Sequence, residues 1–283
     1  MRVRVVAAGA FALTAALTCF ACSLTDLGGL TGGAEPADGG GGGSEAGLAS
    51  EASTSDASAD GADAGDPSAA YAAVVNADGP VAYFRFEEPD GANAAKDTTG
   101  KLTAAATGAG VKFAQPGVRG HGVTFDGTAW LDVGDVFDFA GQVPFTIEVW
   151  VRSLTGNVEG QIIHKRDQNA NPFTGYILYA DNNAEPHFEA WGVDMNAYSN
   201  DVLGTTFTHV VNVVSYASGK GNARMYVDGV PSATGGYDNV KNLADTTAPL
   251  RFGVYLKGVL DEIAIYDKPL PPDRIVEHYR AGR

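Results

Sequence analysis

From Val81 to Tyr266 apolar residues return at every second position, in short runs broken by turn residues. Phe145-Thr146-Ile147-Glu148-Val149-Trp150-Val151-Arg152 alternates most cleanly. Period-two alternation places successive side chains on opposite faces of a strand, so it selects sheets over helices. The same pattern is read at 81–86, 123–125, 130–133, 161–165, 176–179, 187–191, 207–216, 223–227, 250–254 and 259–266. Turn signals fall every 8–14 residues, and Ser218-Gly219-Lys220-Gly221 joins two runs as a hairpin. This spacing predicts an all-β fold, an antiparallel β-sandwich or jelly roll filling residues 69–283. Two short helices flank it. One runs from Ala69 to Val75 with Ser68 as its cap, and one from Asp273, as N-cap, to Arg280.

The first 68 residues follow other rules. Arg2 and Arg4 precede an apolar stretch from Val5 to Phe20, which is short for a spanning helix and fits an export signal over residues 1–21. The run Leu17-Thr18-Cys19-Phe20-Ala21-Cys22 resembles a bacterial lipoprotein signal, with Cys22 as the lipidated mature N-terminus. A plain secretory signal cut nearby is the alternative. Residues 22–68 then read as lipid-anchor cysteine and tether. Between 23 and 68 lie 12 Gly, 9 Ala, 7 Ser and 9 acids, with no aromatic and no base. Such a stretch buries too little apolar surface to offset its ordering entropy. As a Gly-rich coil it spans roughly 35–40 Å. The expected address is the cell envelope, at the outer membrane or cell surface, with membrane contact through the lipid only.

The formal charge is −15 over 283 residues, and no region beyond the first few residues is basic, which argues against a nucleic-acid partner. The two cysteines, Cys19 and Cys22, both precede the domain, so it carries neither a disulfide scaffold nor a cysteine-ligated zinc. Catalytic patterns are missing too. A retaining glycosidase needs two carboxyls about 5–5.5 Å apart. The one i,i+2 acidic pair in residues 69–283, Glu88/Asp90, is split by Pro89 in a loop. Asp261 and Glu262 are neighbours and would face opposite ways on a regular strand. No nucleophile elbow, phosphate loop or His-x-x-x-His pair is present, and the five histidines lie on different elements. The chain therefore reads as a non-catalytic protein.

The segments "YAAVVNADGPVAYFRFEE", "DTTG", "GHGVTFDGTAWLDVG", "FTIEVWVRS", "THVVNVVSYASGKGNARMYVDGV" and "KGVLDEIAIYDKPLPPDRIVEHYRAG" together resemble the LamG-like jellyroll family of the concanavalin A-like lectin/glucanase superfamily. They stand in the family's order and span residues 71–283. The resemblance implies a structural Ca2+ joining the first and last strands, with Asp97 and Asp261 as carboxylate ligands and carbonyls near Gly120 and His121 completing the set. Asp167-x-Asn169-x-Asn171 imitates a calcium loop but has Pro172 at the glycine position, so it reads as a hairpin loop. The resemblance also implies binding of a polysaccharide or cell-surface glycoconjugate; the alternatives are a module that binds a protein ligand in adhesion or serves structurally, and a degenerate or undetected glycoside hydrolase. Glycan sites combine aromatic faces with hydrogen-bonding side chains on a surface or loop rim. Trp191 and Tyr198, in polar surroundings, with Asn169 and Asn171 as rim residues, are the ligand-binding candidates. Trp150 shares a strand face with Glu148 and is expected in the core.

Overall fold

The computed structural model describes residues 67–156, 158–191, 195–237 and 243–283. The export signal, Cys22 and almost all of the tether lie outside the described residues. Helix α1 (Pro67–Ala77) leads into β1 (Ala82–Phe84), β2 (Ala94–Lys96), β3 (Thr103–Ala106), β4 (Val111–Pro116), β5 (His121–Asp126) and β6 (Leu131–Gly134). Next come β7 (Phe145–Ser153), β8 (Gly160–Asp167), β9 (Thr174–Ala180), β10 (Pro186–Trp191) and β11 (Met195–Tyr198). The chain continues through β12 (Thr208–Ala217), β13 (Lys220–Val227), β14 (Val230–Tyr237), β15 (Leu250–Val254), β16 (Lys257–Tyr266) and α2 (Pro272–Ala281).

The strands form two antiparallel sheets of eight. The first has the order β14-β13-β12-β7-β16-β5-β4, with β1 paired to β16. The second has the order β11-β10-β9-β8-β15-β6-β3-β2. Their inner faces share one apolar core that includes Phe84, Phe125, Ile147, Val149, Ile163, Leu178, Phe188, Val210, Phe252 and Ile265. The all-β sandwich expected from the alternation is present.

Strand β7 is buried on both faces. Phe145, Ile147, Val149 and Val151 point into the sandwich. Trp150, on the opposite face, joins a second apolar cluster with Tyr71 and Val75 of α1, Ile275 of α2, Tyr83, Val211 and Tyr266. Both helices therefore cover the outer face of the first sheet. Trp150 is core, as expected, and no part of it is exposed.

Two helix details depart from expectation. Helix α1 starts at Pro67, one residue before the expected cap. The Ser68 hydroxyl instead bonds Glu87 and Arg85. In α2 the N-cap is Pro271, with no side-chain cap, and Asp273 lies in the first turn. Two consecutive prolines preset φ for a helix start, and the Asp273 charge complements the helix dipole from inside that turn.

Candidate functional site

With the first sheet roofed by helices, the outer face of the second sheet is the open one, and its registers fix what it presents. One row of paired residues runs Asp132–Arg251–His164–Ile177–Glu189–Asn196 across β6, β15, β8, β9, β10 and β11. A neighbouring row is Arg166–Gly175–Trp191. On the other flank lies Gln161–Tyr179–His187–Tyr198. Paired residues share a face, so these rows build a surface rich in rings and charged heads.

The rings are held in place. The Arg166 guanidinium lies 4.7 Å from the Trp191 ring and 5.2 Å from Phe173, across a residue without a side chain. Arg251 lies 5.3 Å over Trp130 and donates from Nε to Asp132 at 3.0 Å. The Tyr179 and Tyr198 hydroxyls both donate to Glu189 Oε1, at 2.9 and 3.0 Å.

Two cavities open on this face. One, of about 400 Å³, is lined by Trp130, His164, Arg166, Asn169, Arg251 and Tyr255 among others. The other, of about 300 Å³, is lined by Gln161, Tyr179, Asp181, Asn182 and Tyr255 among others. Tyr255 borders both. It is 65% exposed and sits in the turn between β15 and β16 at φ +58°, a left-handed conformation that a tyrosine seldom adopts. In the larger cavity Trp130 Nε1, His164 Nδ1 and Arg166 Nε are buried atoms without a hydrogen-bond partner among the described residues. Burial, then the Arg166 and Arg251 charges, lower the His164 pKa to about 4, so the ring is neutral near pH 7. Such a surface can stack a sugar ring and offer it directional polar contacts.

Trp191 and Tyr198 both stand on this open face but line neither cavity, and Asn169 lines the larger one. Asn171 is exposed in the loop between β8 and β9 and lines neither cavity. The Asp167 loop is a hairpin turn, in which Asp167 Oδ1 accepts the Asn169 amide at 2.8 Å. His164, Arg166, Arg251 and Tyr255 were not singled out from the sequence. The legible signal was that His164 and Arg166 share one strand face; the turn that lifts Tyr255 carried none.

The calcium ligands divide. Asp97 sits in a turn of its own, in which Oδ1 accepts the Leu102 amide at 2.7 Å and Oδ2 accepts the Thr99 amide at 3.0 Å. Asp261, Gly120 and His121 do share a neighbourhood. A Cβ on Gly117 would collide with Asp261 Oδ2 and the His121 carbonyl, and one on Gly120 would collide with the Glu87 carboxylate. Asp261 Oδ2 also accepts the Val118 amide at 2.8 Å, and Glu87 Oε2 accepts the His121 amide at 3.1 Å. Asp261, Glu87 and the His121 carbonyl are the hard oxygens around this loop. Such donors fit Ca2+.

Nor do Asp261 and Glu262 point apart. The β16 register against β7 shifts between Asp261 and Ala264, and Glu262 has φ +50°. This bulge buries both carboxyls, with Glu262 taking the Tyr83 hydroxyl and lying 3.6 Å from Arg85 Nε. Burial, then the neighbouring Glu262 charge, push Asp261 up, and burial raises Glu262 to about 8.

Two of the five histidines also meet. His209 Nε2 lies 2.8 Å from Glu148 Oε1, and His278 Nδ1 lies 2.9 Å from Glu148 Oε2. The Tyr71 and Tyr266 hydroxyls donate to the same carboxylate, and His278 Nε2 lies 2.8 Å from Asp78 Oδ2. Glu148, His209 and His278 have fully buried side chains, so this cluster joins both helices to the sheet.

Comparison with solved structures returns the same fold. The binding domain of Paraclostridial mosquitocidal protein 1 aligns with TM-score 0.55 and 13% identity, over 71% of this chain and 51% of that one. Domain 4 of AbnA, a GH43 extracellular arabinanase from Geobacillus stearothermophilus, in complex with arabinotriose, gives 0.52 and 16%, over 71% and 98%. The binding domain of botulinum neurotoxin DC in complex with SialylT gives 0.51 and 13%, over 73% and 52%. The chain spans about half the length of the two toxin domains it matches. A search of curated protein sequences finds no match. Residues 125–276, more than half of the chain, match the Laminin_G_3 family model, and the protein belongs to this family of the concanavalin A-like lectin/glucanases superfamily.

Proposed function

We propose that the chain is a surface-anchored, non-catalytic binding protein whose open sheet face holds a polysaccharide or glycoconjugate. One observation carries this reading: two adjoining cavities on the unroofed face share an exposed aromatic, Tyr255, and combine rings with buried polar atoms that lack partners. The likeness in fold to a domain solved with arabinotriose and to a toxin domain solved with SialylT supports it. Fold alone does not give function, so the test is direct. The mature protein on a glycan array is expected to bind a restricted set of oligosaccharides without releasing sugar. Silence across the array overturns glycan binding in favour of a protein ligand, and sugar release overturns the non-catalytic part.

A calcium ion belongs to this reading as a structural clip. Asp261, Glu87 and the His121 carbonyl would hold it, tying β16 to the loop before β5 and neutralising the buried Asp261. Binding to the native state alone stabilises by about 2.7 kcal/mol at a hundredfold excess over Kd. Chelator is expected to lower the melting temperature of the wild type and of Asp97→Asn, and to leave Asp261→Asn unaffected. A wild type indifferent to chelator removes the ion. Loss of the chelator response in Asp97→Asn restores Asp97 as a ligand.

The anchor is the N-terminal part of the proposal. Lipidation of Cys22 would hold the head on a tether of roughly 35–40 Å. Detergent-phase partitioning is expected for the wild type and lost in Cys22→Ala; unchanged partitioning would make the segment a plain secretory signal.

A further inference from the structure

The larger cavity carries a charge pattern that the rest of the chain does not favour. The formal charge is −15, so an arginine outside any ion pair is unexpected. Arg166 nevertheless makes no ion pair among the described residues. One flat face of its guanidinium is spent on Trp191, which leaves its N–H edge to a ligand, and its Nε is buried without a partner. Arg251 enters the same cavity from the adjacent strand, held by Asp132 through Nε. His164 lies between the two arginines, 96% buried by its 4% relative exposure, with Nδ1 unpartnered. The nearby acid Asp167 has one oxygen committed to its own loop.

A guanidinium fork matches a planar carboxylate in a bidentate way and has five N–H donors to satisfy. Arg166 is half-buried and Glu189 acts on it only through space, without an ion pair, so an incoming anion supplies the direct partner it lacks. A neutral saccharide would leave Arg166 as it is. We propose that this cavity is a subsite for an anionic saccharide, a carboxylate-bearing sugar, whose acid group meets the edge of Arg166 with Arg251 beside it, while the sugar ring stacks on Trp130 or Tyr255. The inference rests on the glycan-binding reading above and adds the class of sugar.

The test uses matched pairs of oligosaccharides, each uronate chain beside its carboxyl-reduced neutral counterpart, with sulfated neutral chains as a third arm. The wild type is expected to bind at least one uronate chain about tenfold or more tightly than its neutral counterpart, consistent with one charge-assisted bidentate contact. Added salt should narrow the gap. Arg166→Gln should bring the pair to parity, and Arg166→Lys, which keeps the charge and loses the fork, should fall between. Melting curves show whether each variant is folded, and the wild-type pair comparison stands without either variant. Equal binding of the pair by the wild type overturns the inference and leaves the glycan reading intact, whereas no saccharide binding overturns both. Preference for the sulfated arm over uronate overturns the carboxylate assignment.

Discussion

Replacing Glu148 by Gln is expected to destabilise the folded protein by about 3–5 kcal/mol, because it strips a buried charge cluster of its only acid at that position. The wild-type carboxylate receives Tyr71, His209, Tyr266 and His278 with no part of its side chain exposed. Burial alone would raise its pKa, but the His278 and His209 rings outweigh burial and hold it well below the usual carboxylate range. Burial would likewise lower His278, and Glu148 outweighs it, so His278 is raised. A Gln side chain keeps the volume, turns an N–H₂ toward groups that donate, and leaves His278 with Asp78 alone. At about 2–4 °C per kcal/mol for a domain of this size, the melting temperature should fall by roughly 6–20 °C. The pH dependence has a definite sign. The raised His278 contributes stability fully below the unfolded histidine value of about 6.5, lost as pH rises through its folded value. The depressed Glu148 contributes stability above about pH 4.3, lost as pH falls through its folded value. The gap between wild type and variant should therefore be widest between about pH 5 and 6.5 and shrink on the alkaline side. A melting shift under about 3 °C at pH 6 would show that the cluster does not fasten the helices.

Substituting Tyr255 by Ala should weaken binding of an array-identified oligosaccharide by about 10–100-fold while leaving the melting temperature nearly unchanged. The ring borders both cavities and is 65% exposed, so its removal empties the platform and opens little core. Removing a central aromatic anchor costs about 1–3 kcal/mol of binding, and each 1.4 kcal/mol is tenfold. Trp130→Ala should give a similar loss of affinity with some loss of stability, since Trp130 also carries the Arg251 stack. Isothermal titration of both variants, beside Lys112→Ala on the exposed edge of the first sheet, measures this. Wild-type affinity in Tyr255→Ala would move the site off the shared rim.

Where the sequence alternates over many residues, as in Phe145–Arg152, the strand could be read directly. The hairpin at 218–221 was equally plain. Strands β2 and β3 were missed because Ala94–Lys96 and Thr103–Ala106 are short and alanine-rich, giving no contrast between faces. Strand β14 was missed because Pro231, Gly235 and Gly236 argue against a strand, yet an edge strand tolerates proline. The bulge at Asp261–Ala264 broke the period-two rule on which the opposed-carboxyl argument depended. The site was half legible for the same reason. Trp191, Tyr198 and Asn169 could be read as exposed polar-flanked residues, whereas the cavity chemistry comes from pairing across distant strands. Arg251 meets His164 only because β15 returns between β6 and β8.

The central claim is that ligand binds the open face of the second sheet. Backbone amide chemical-shift mapping of the protein, titrated with an array-identified oligosaccharide, tests it most directly. The account predicts shifts concentrated at residues 130–132, 161–169, 175–181 and 251–256, with β12, β13 and both helices quiet. Shifts confined to the 117–121 loop or to the edge strands of the first sheet would contradict it.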